Sequence, residues 1–231
     1  MADLISILVP VFNEADTIGA VIERLLTIEL PAPREIIVIN DGSRDNTRAV
    51  LDSLAGTSPW LTVLHVDQNR GKGHAVRMGI DRSKGTVIAI QDADLELDPA
   101  QIAGLVAPIL RGEADVVYGS RFLEGSSGVP LVSRVANGGL TMITNLLYGA
   151  SLTDMETCYK MMRGDVARGL GLTANRFDIE PEITAKLLNG GHRIIERPVT
   201  FSPRSRAAGK KIRWHDGLHA VRVLVRCRFQ R

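Results

Sequence analysis

Apolar and polar residues alternate along the first 120 positions in two rhythms. Residues 4–11 form a nearly unbroken apolar run, the pattern of a strand buried on both faces. Ile18, Val21, Ile22, Leu25 and Leu26 then recur at helical spacing. The cycle repeats, with strands predicted at 35–40, 61–66, 86–91 and 115–119. Between them, helices are predicted over about 45–55, from the Gly-rich turn at 69–73 to about 83, and after Asp98-Pro99, an N-cap followed by proline. Ile102, Leu105, Val106 and Ile109 make the apolar face of that last helix, and Pro108 is expected to kink it or end it early. Strands joined by helical crossovers demand an α/β doubly wound, mostly parallel sheet with helices on both faces.

Past Gly119 the rhythm changes. The pattern gives a Gly/Ser-rich loop at 121–129, a helix at 135–148, another at 180–189 and a strand at 193–201. A Ser/Arg/Gly loop at 202–209 and a last helix at 215–229 complete it. No repeat or linker interrupts the chain. The expectation is one domain over 1–231, with a ligand-binding half at 1–120 and a second half at 121–231 that ends in a basic helix.

Composition narrows the class. The 231 residues are 45% hydrophobic and 23% charged with net charge +2, which excludes global disorder. Cys158 and Cys227 are too few for a disulfide framework or a zinc site and read as small buried hydrophobes. The start, MADLISILVPVFNE, has no basic n-region, and no run reaches the ~18 apolar residues of a membrane span. A cytoplasmic protein is therefore expected, with peripheral contact at the inner face of the membrane as its one membrane option. Charge is uneven: residues 204–231 carry nine Lys and Arg against one acid. A basic tail on an acidic body points to an anionic partner. A nucleic acid is not expected, because no recognition module accompanies the basic residues.

In doubly wound sheets, ligands bind at the carboxyl ends of the strands, where the unusual polar residues cluster here. Asp92-Ala93-Asp94-Leu95-Glu96 directly follows the fourth strand. Three alternating acids can face one hard cation, Mg²⁺ or Mn²⁺, whose shell substrate phosphates complete; a solvated acidic turn is the plainer reading. Pro10-Val11-Phe12-Asn13-Glu14 ends the first strand, and Asn40-Asp41-Gly42-Ser43 the second. A strand-end carboxylate followed by Gly suits a ribose or base edge, though turn chemistry alone also asks for Asp-Gly. Asn69-Arg70-Gly71-Lys72-Gly73-His74 enters a helix and is a potential phosphate cradle, but it is neither a P-loop nor GxGxxG.

In that order, PVFNE, INDGS, NRGKG, QDADLE and YGSRF resemble the nucleotide-sugar-binding half of family 2 glycosyltransferases, of the GT-A (Rossmann-like) fold. TDMETCYK at 153–160, RFDIEPE at 176–182 and GKKI at 209–212 extend the resemblance toward the polyprenyl- or dolichyl-phosphate mannose and glucose synthases, over about residues 4–229. Asn40 departs from the family's usual DDGS turn, and the membrane spans that follow the domain in many relatives have no counterpart in this sequence.

The resemblance implies an inverting transfer of mannose or glucose from a nucleotide-sugar of the GDP-mannose or UDP-glucose type. Asp92, Asp94 and Glu96 would hold Mg²⁺ or Mn²⁺, with Asp94 also catalytic. Pro10, Phe12, Glu14, Asp41, Lys72, Gly73, Asp92, Ala93 and Asp94 would line the donor. A phosphate acceptor would need cations, for which Arg121, Arg134, Arg204 and Lys210 are the candidates. A hydroxyl acceptor would need a base, with Asp154 first and Glu156 next. The other readings are the same donor chemistry on a soluble hydroxyl, or a sugar-nucleotide-binding protein without turnover. In the last helix, Leu218, Val221, Leu224, Val225 and Phe229 read as one stripe beside arginines, suited to contact with an anionic membrane or to packing on the sheet.

Overall fold

A computed structural model describes residues 2–125, 128–203 and 214–229, with the side chains of 214–216 left out. Seven strands form one sheet: β1 (Ile5–Val11), β2 (Arg34–Asp41), β3 (Leu61–Val66), β4 (Val87–Ile90), β5 (Val116–Ser120), β6 (Lys160–Arg163) and β7 (Ile194–Pro198). Their order is β3-β2-β1-β4-β6-β5-β7, and every neighbouring pair is parallel except those made by β6.

Helices cover both faces, as the crossover pattern predicts. Ile5, Ile7, Val9 and Val11 of β1 point into the core under α1 (Ile18–Thr27), α2 (Thr47–Leu54) and α4 (Ile102–Leu110). Leu8, one step out of phase, packs into the opposite core with α3 (Lys72–Arg82), α6 (Gly164–Gly169) and α7 (Ile179–Asn189). A third cluster joins α7 to α5 (Leu131–Tyr148) and α8 (Trp214–Phe229) around Met155, Ala185, Val223, Leu224 and Cys227. Cys158 and Cys227 are both free and buried, in separate clusters.

Three differences from the sequence pattern have physical causes. β6 was not predicted; it is four residues long, too short to show a period, and it wedges antiparallel between β4 and β5. Pro108 does not end α4 early, because it lies in the last turn and the helix closes two residues later at Leu110. α5 starts at Leu131 rather than 135, since Pro130 supplies the extended residue that precedes its first turn.

Candidate active site

Four loops meet at the carboxyl ends of β1, β2, β3 and β4, and hydrogen bonds and an ion pair lock them together. Asn13, strained at φ 54°, donates its backbone N–H to Ser43 Oγ at 2.9 Å and accepts from Arg44 N–H at 2.8 Å. Glu14 N–H donates to Thr47 Oγ1 at 2.9 Å. Thr17 Oγ1 donates to Ala93 O at 2.7 Å and lies 3.1 Å from Glu14 Oε2, so the first loop grips the DADLE turn.

Asp41 is buried, and its carboxylate accepts the N–H groups of Arg70 at 3.0 Å and Gly71 at 2.6 Å. It therefore fastens the 69–71 loop. Gly71 sits at φ +104°, and a Cβ there would come within 2.4 Å of Asn175 O.

The phosphate cradle predicted from NRGKG is not open. Gly73 N–H donates to Arg176 O at 3.2 Å and His74 N–H to Asn175 O at 3.1 Å, so these two amides of the first turn of α3 are already taken. A Cβ on Gly73 would meet Ala174 O at 2.6 Å, so this glycine serves close packing of α3 on the 174–176 segment.

Lys72 takes a different part. Its Nζ lies 2.8 Å from Asp92 Oδ1 and 2.8 Å from Glu180 Oε1. Burial pulls its pKa down, but Asp92 and Glu180 outweigh that and hold it well above the ordinary lysine value. Glu180 Oε2 pairs in turn with Lys160 Nζ at 2.7 Å, and that fully buried ammonium also donates to the carbonyls of Met155 and Thr157 and faces the Tyr118 ring. The two lysines overcome burial and lower the Glu180 pKa. In the sequence, Lys160 and Glu180 are marked only as a base and an acid inside the TDMETCYK and RFDIEPE motifs.

In the DADLE turn, Leu95 takes φ +59°, and Asp94 Oδ1 accepts the Glu96 N–H at 3.2 Å. The expected three-carboxylate set is not assembled: among the described residues no three His, Cys, Asp or Glu side chains converge as metal ligands. Asp92 and Asp94 remain as hard oxygen donors, and Mg²⁺ or Mn²⁺ is commonly held by one or two carboxylates plus substrate phosphates. The chemistry of these donors suits such an ion.

At the end of β5, Arg121 meets Asp154 side-on, with Nε to Oδ2 and Nη2 to Oδ1 both at 2.7 Å. Arg121 N–H and Asn137 Nδ2 add two more donors to the same fully buried carboxylate. With four donors Asp154 is no free base, which corrects its place as first candidate. A cleft of about 170 Å³ opens beside Arg121, walled by Glu124, Gly125 and 198–201. Glu156 lies nearby, its N–H on Asn137 Oδ1 and its Oε1 buried without a partner. Burial pushes its pKa up to about 7. Arg134 is exposed on the first turn of α5. Arg204 and Lys210 lie outside the described residues.

The wound sheet, with acids at its strand ends, has the GT-A fold of the solved glycosyltransferases it resembles. Mannosyl-3-phosphoglycerate synthase from Rubrobacter xylanophilus superposes with TM-score 0.72 at 18% identity, covering 98% of this chain and 72% of that one. Glucosyl-3-phosphoglycerate synthase from Mycobacterium tuberculosis, in complex with Mn²⁺, UDP and glucosyl-3-phosphoglycerate, does so with TM-score 0.69 at 19% identity, covering 98% and 78%. The model of glycosyl transferase family 2 matches residues 6–171, and the chain belongs to that family. Undecaprenyl-phosphate mannosyltransferase of Micrococcus luteus is 27% identical over 212 residues, 88% of this chain and 85% of its own. Polyprenol monophosphomannose synthase of Mycolicibacterium smegmatis is 27% identical over 221 residues, 90% and 82% of the two chains.

Proposed function

We propose that the protein moves mannose or glucose from a nucleotide-sugar to a polyprenyl phosphate in one inverting displacement. The observation that carries this reading is the Arg121–Asp154 pair. It fixes a guanidinium beside a cleft at the sheet's carboxyl edge, and it leaves the adjoining carboxylate saturated. A phosphate monoester arrives ionised, so it needs no base there, but it does need a cation to approach an anionic donor. The names of the two sequence relatives, undecaprenyl-phosphate mannosyltransferase and polyprenol monophosphomannose synthase, support the same acceptor.

In the reaction an acceptor phosphate oxygen bonds to the anomeric carbon while the bond from that carbon to the donor β-phosphate breaks. The electron pair leaves with the nucleoside diphosphate. Pro10, Phe12 and Glu14 border the nucleoside, and Asp41 holds the 69–71 loop that shapes its pocket. Ala93 O fixes the DADLE turn to Thr17, and Lys72 positions Asp92 and adds positive charge on the donor side. A divalent ion held by Asp92 and Asp94, when bound, would stabilise charge on the leaving diphosphate as a Lewis acid. Arg121, with Arg134 beyond it, would receive the acceptor phosphate; Arg204 and Lys210 remain candidates for the same task.

One observation favours a second reading. Glu156, poised near pH 7 with a buried unpartnered oxygen, has the properties of a general base for a hydroxyl acceptor. Assaying UDP-glucose and GDP-mannose with Mn²⁺ against a prenyl phosphate and the matching prenol, from pH 6 to 8, tests both. Product on the phosphate, surviving Glu156→Gln, supports the proposal. Product on the prenol alone, rising through pH 7 and lost in Glu156→Gln, establishes the second reading.

A further inference from the structure

At the carboxyl end of β2, the buried side chain of Asn40 bridges two groups. Its Oδ1 accepts the Ser43 N–H at 3.1 Å, and its Nδ2 lies 3.0 Å from Nδ1 of His65, the residue opposite it on β3. A backbone N–H only donates, so Oδ1 must face Ser43 and the Nδ2–H must face the ring. His65 Nδ1 is therefore an acceptor. The ring is neutral and carries its proton on Nε2, which donates to Asp52 Oδ1 at 3.1 Å. The row Ser43–Asn40–His65–Asp52 is satisfied in this arrangement alone.

The charges around the ring are few. α2 contributes Asp52, whose Oδ2 lies 3.7 Å from Arg48 Nε. On β2, Asp41 follows Asn40 but turns to the other face, where the N–H groups of Arg70 and Gly71 hold it. β3 is an edge strand and carries no other charged residue. The His65 side chain is 19% exposed, enough for a proton to reach it.

The turn that Asn40 holds also supports the first loop. Ser43 Oγ accepts the Asn13 N–H at 2.9 Å, and Asn13 Oδ1 accepts the Arg44 N–H at 2.8 Å, with Asn13 at φ 54°. Phe12 and Glu14 flank Asn13. The row thus runs from α2 to the loop that borders the nucleoside.

We propose that Asn40, His65 and Asp52 are positioning residues that tie nucleotide binding to the protonation of His65. A second proton, on Nδ1, sets one N–H against another at Asn40. Turning the Asn40 amide over gives Oδ1 to the imidazolium, but Nδ2 then faces the Ser43 N–H and that hydrogen bond is lost. The 42–44 turn loosens, and its grip on Asn13 with it. Asp52 favours the charged ring, and histidine is the side chain that ordinarily titrates between about pH 5 and 8. An aspartate at position 40 would accept from Ser43 and from the imidazolium together, so the asparagine is what makes the turn sensitive. Thr47 and Asp45 still hold the N–H groups of Glu14 and Ala15, so the loss is limited to about one hydrogen bond, or about fivefold in affinity. The consequence for binding rests on the nucleotide-sugar reading, but the row can be tested in the protein alone.

Two measurements on the full chain form the test. Without ligand, ¹⁵N NMR should show the Nε2–H tautomer of His65 at pH 8. At pH 5.5, amide exchange at Ser43 should be about fivefold faster in wild type than in Asn40→Asp at the same pH. Calorimetry with Mn²⁺ and whichever nucleotide-sugar binds, UDP-glucose or GDP-mannose, should give wild type a Kd about fivefold weaker at pH 5.5 than at pH 8. The esterified diphosphates do not titrate in this range. That ratio should approach one in Asn40→Asp and in His65→Asn, which keeps an acceptor but takes no proton. Glu156 titrates alike in all three proteins, so the difference between them isolates His65. His65 protonated on Nδ1 at pH 8, equal Ser43 exchange in wild type and Asn40→Asp, or a wild-type Kd equal at both pH values overturns the inference. So does a ratio that persists in both variants. Ser43 protection that fails at pH 5.5 in wild type alone, with neither nucleotide-sugar bound at any pH, supports the row and sinks the nucleotide-sugar reading alone.

Discussion

Arg121 and Asp154 form a side-on ion pair, two contacts of 2.7 Å to a carboxylate with no exposed surface. Such a pair serves both the fold and the site, and the two roles separate by mutation. Arg121→Ala leaves Asp154 buried with Asn137 and backbone N–H alone, so unfolding should become easier by about 3–5 kcal/mol. Acceptor KM should rise about tenfold or more while nucleotide affinity holds, because the guanidinium faces the acceptor side. Urea titration and two-substrate kinetics check each part; a loss of nucleotide affinity with acceptor KM unchanged would place Arg121 on the donor.

Lys160→Met tests the buried chain of charges. Glu180 keeps Lys72 but loses its fully buried partner, and a stability loss of about 3 kcal/mol is expected. The pH dependence has a definite sign. The Glu180 pKa is lowered in the folded state, so its contribution is present above the ordinary carboxylate range and disappears as pH falls through the depressed value. Lys160→Met should therefore flatten the acid limb of the stability curve, and an unchanged acid limb would show that the pair contributes nothing.

Glu156 has the opposite sign. Its folded-state pKa of about 7 lies above the unfolded value, so ionising it opposes folding. Stability should fall between about pH 4.5 and 7 on its account and level off above. Glu156→Gln should abolish that slope and raise stability at pH 8 by about 1–3 kcal/mol. Urea midpoints of wild type and variant at pH 5 and 8 decide the matter; parallel curves would remove Glu156 as a group poised near neutrality.

Asp94→Ala should remove the part of nucleotide affinity that depends on Mn²⁺ and leave the metal-free affinity in place. Calorimetry with and without Mn²⁺ reads both. Glu96→Gln, outside the two-carboxylate set, should keep the Mn²⁺-dependent part. Loss in Glu96→Gln equal to that in Asp94→Ala would restore the three-carboxylate arrangement.

The parts of the fold legible in the sequence were those with a period to read. β1 to β5 stand out because each is a short apolar run between helical patterns, and strand-end acids mark where ligands bind. β6 was hidden because Lys160–Arg163 has no alternation, and its place between β4 and β5 is set by pairing across distant segments. The composition of a motif also did not reveal who satisfies whom. Asp154 reads as a base from its motif, yet Arg121 and Asn137 occupy it, and the Gly73-His74 turn reads as a cradle, yet Arg176 O accepts the Gly73 N–H and Asn175 O the His74 N–H. Within the apolar stripe of α8, Leu224 is buried while Leu218, Val225 and Phe229 are exposed, since a periodicity shows which residues share a side and not what lies against it.

The most direct measurement is the product itself. NMR of a reaction containing an α-linked nucleotide-sugar, Mn²⁺ and a short-chain polyprenyl phosphate should show the sugar joined to the phosphate through a β-anomeric carbon, with nucleoside diphosphate released in equal amount. A product of retained configuration, or sugar found on a prenol hydroxyl and never on the phosphate, would contradict the account.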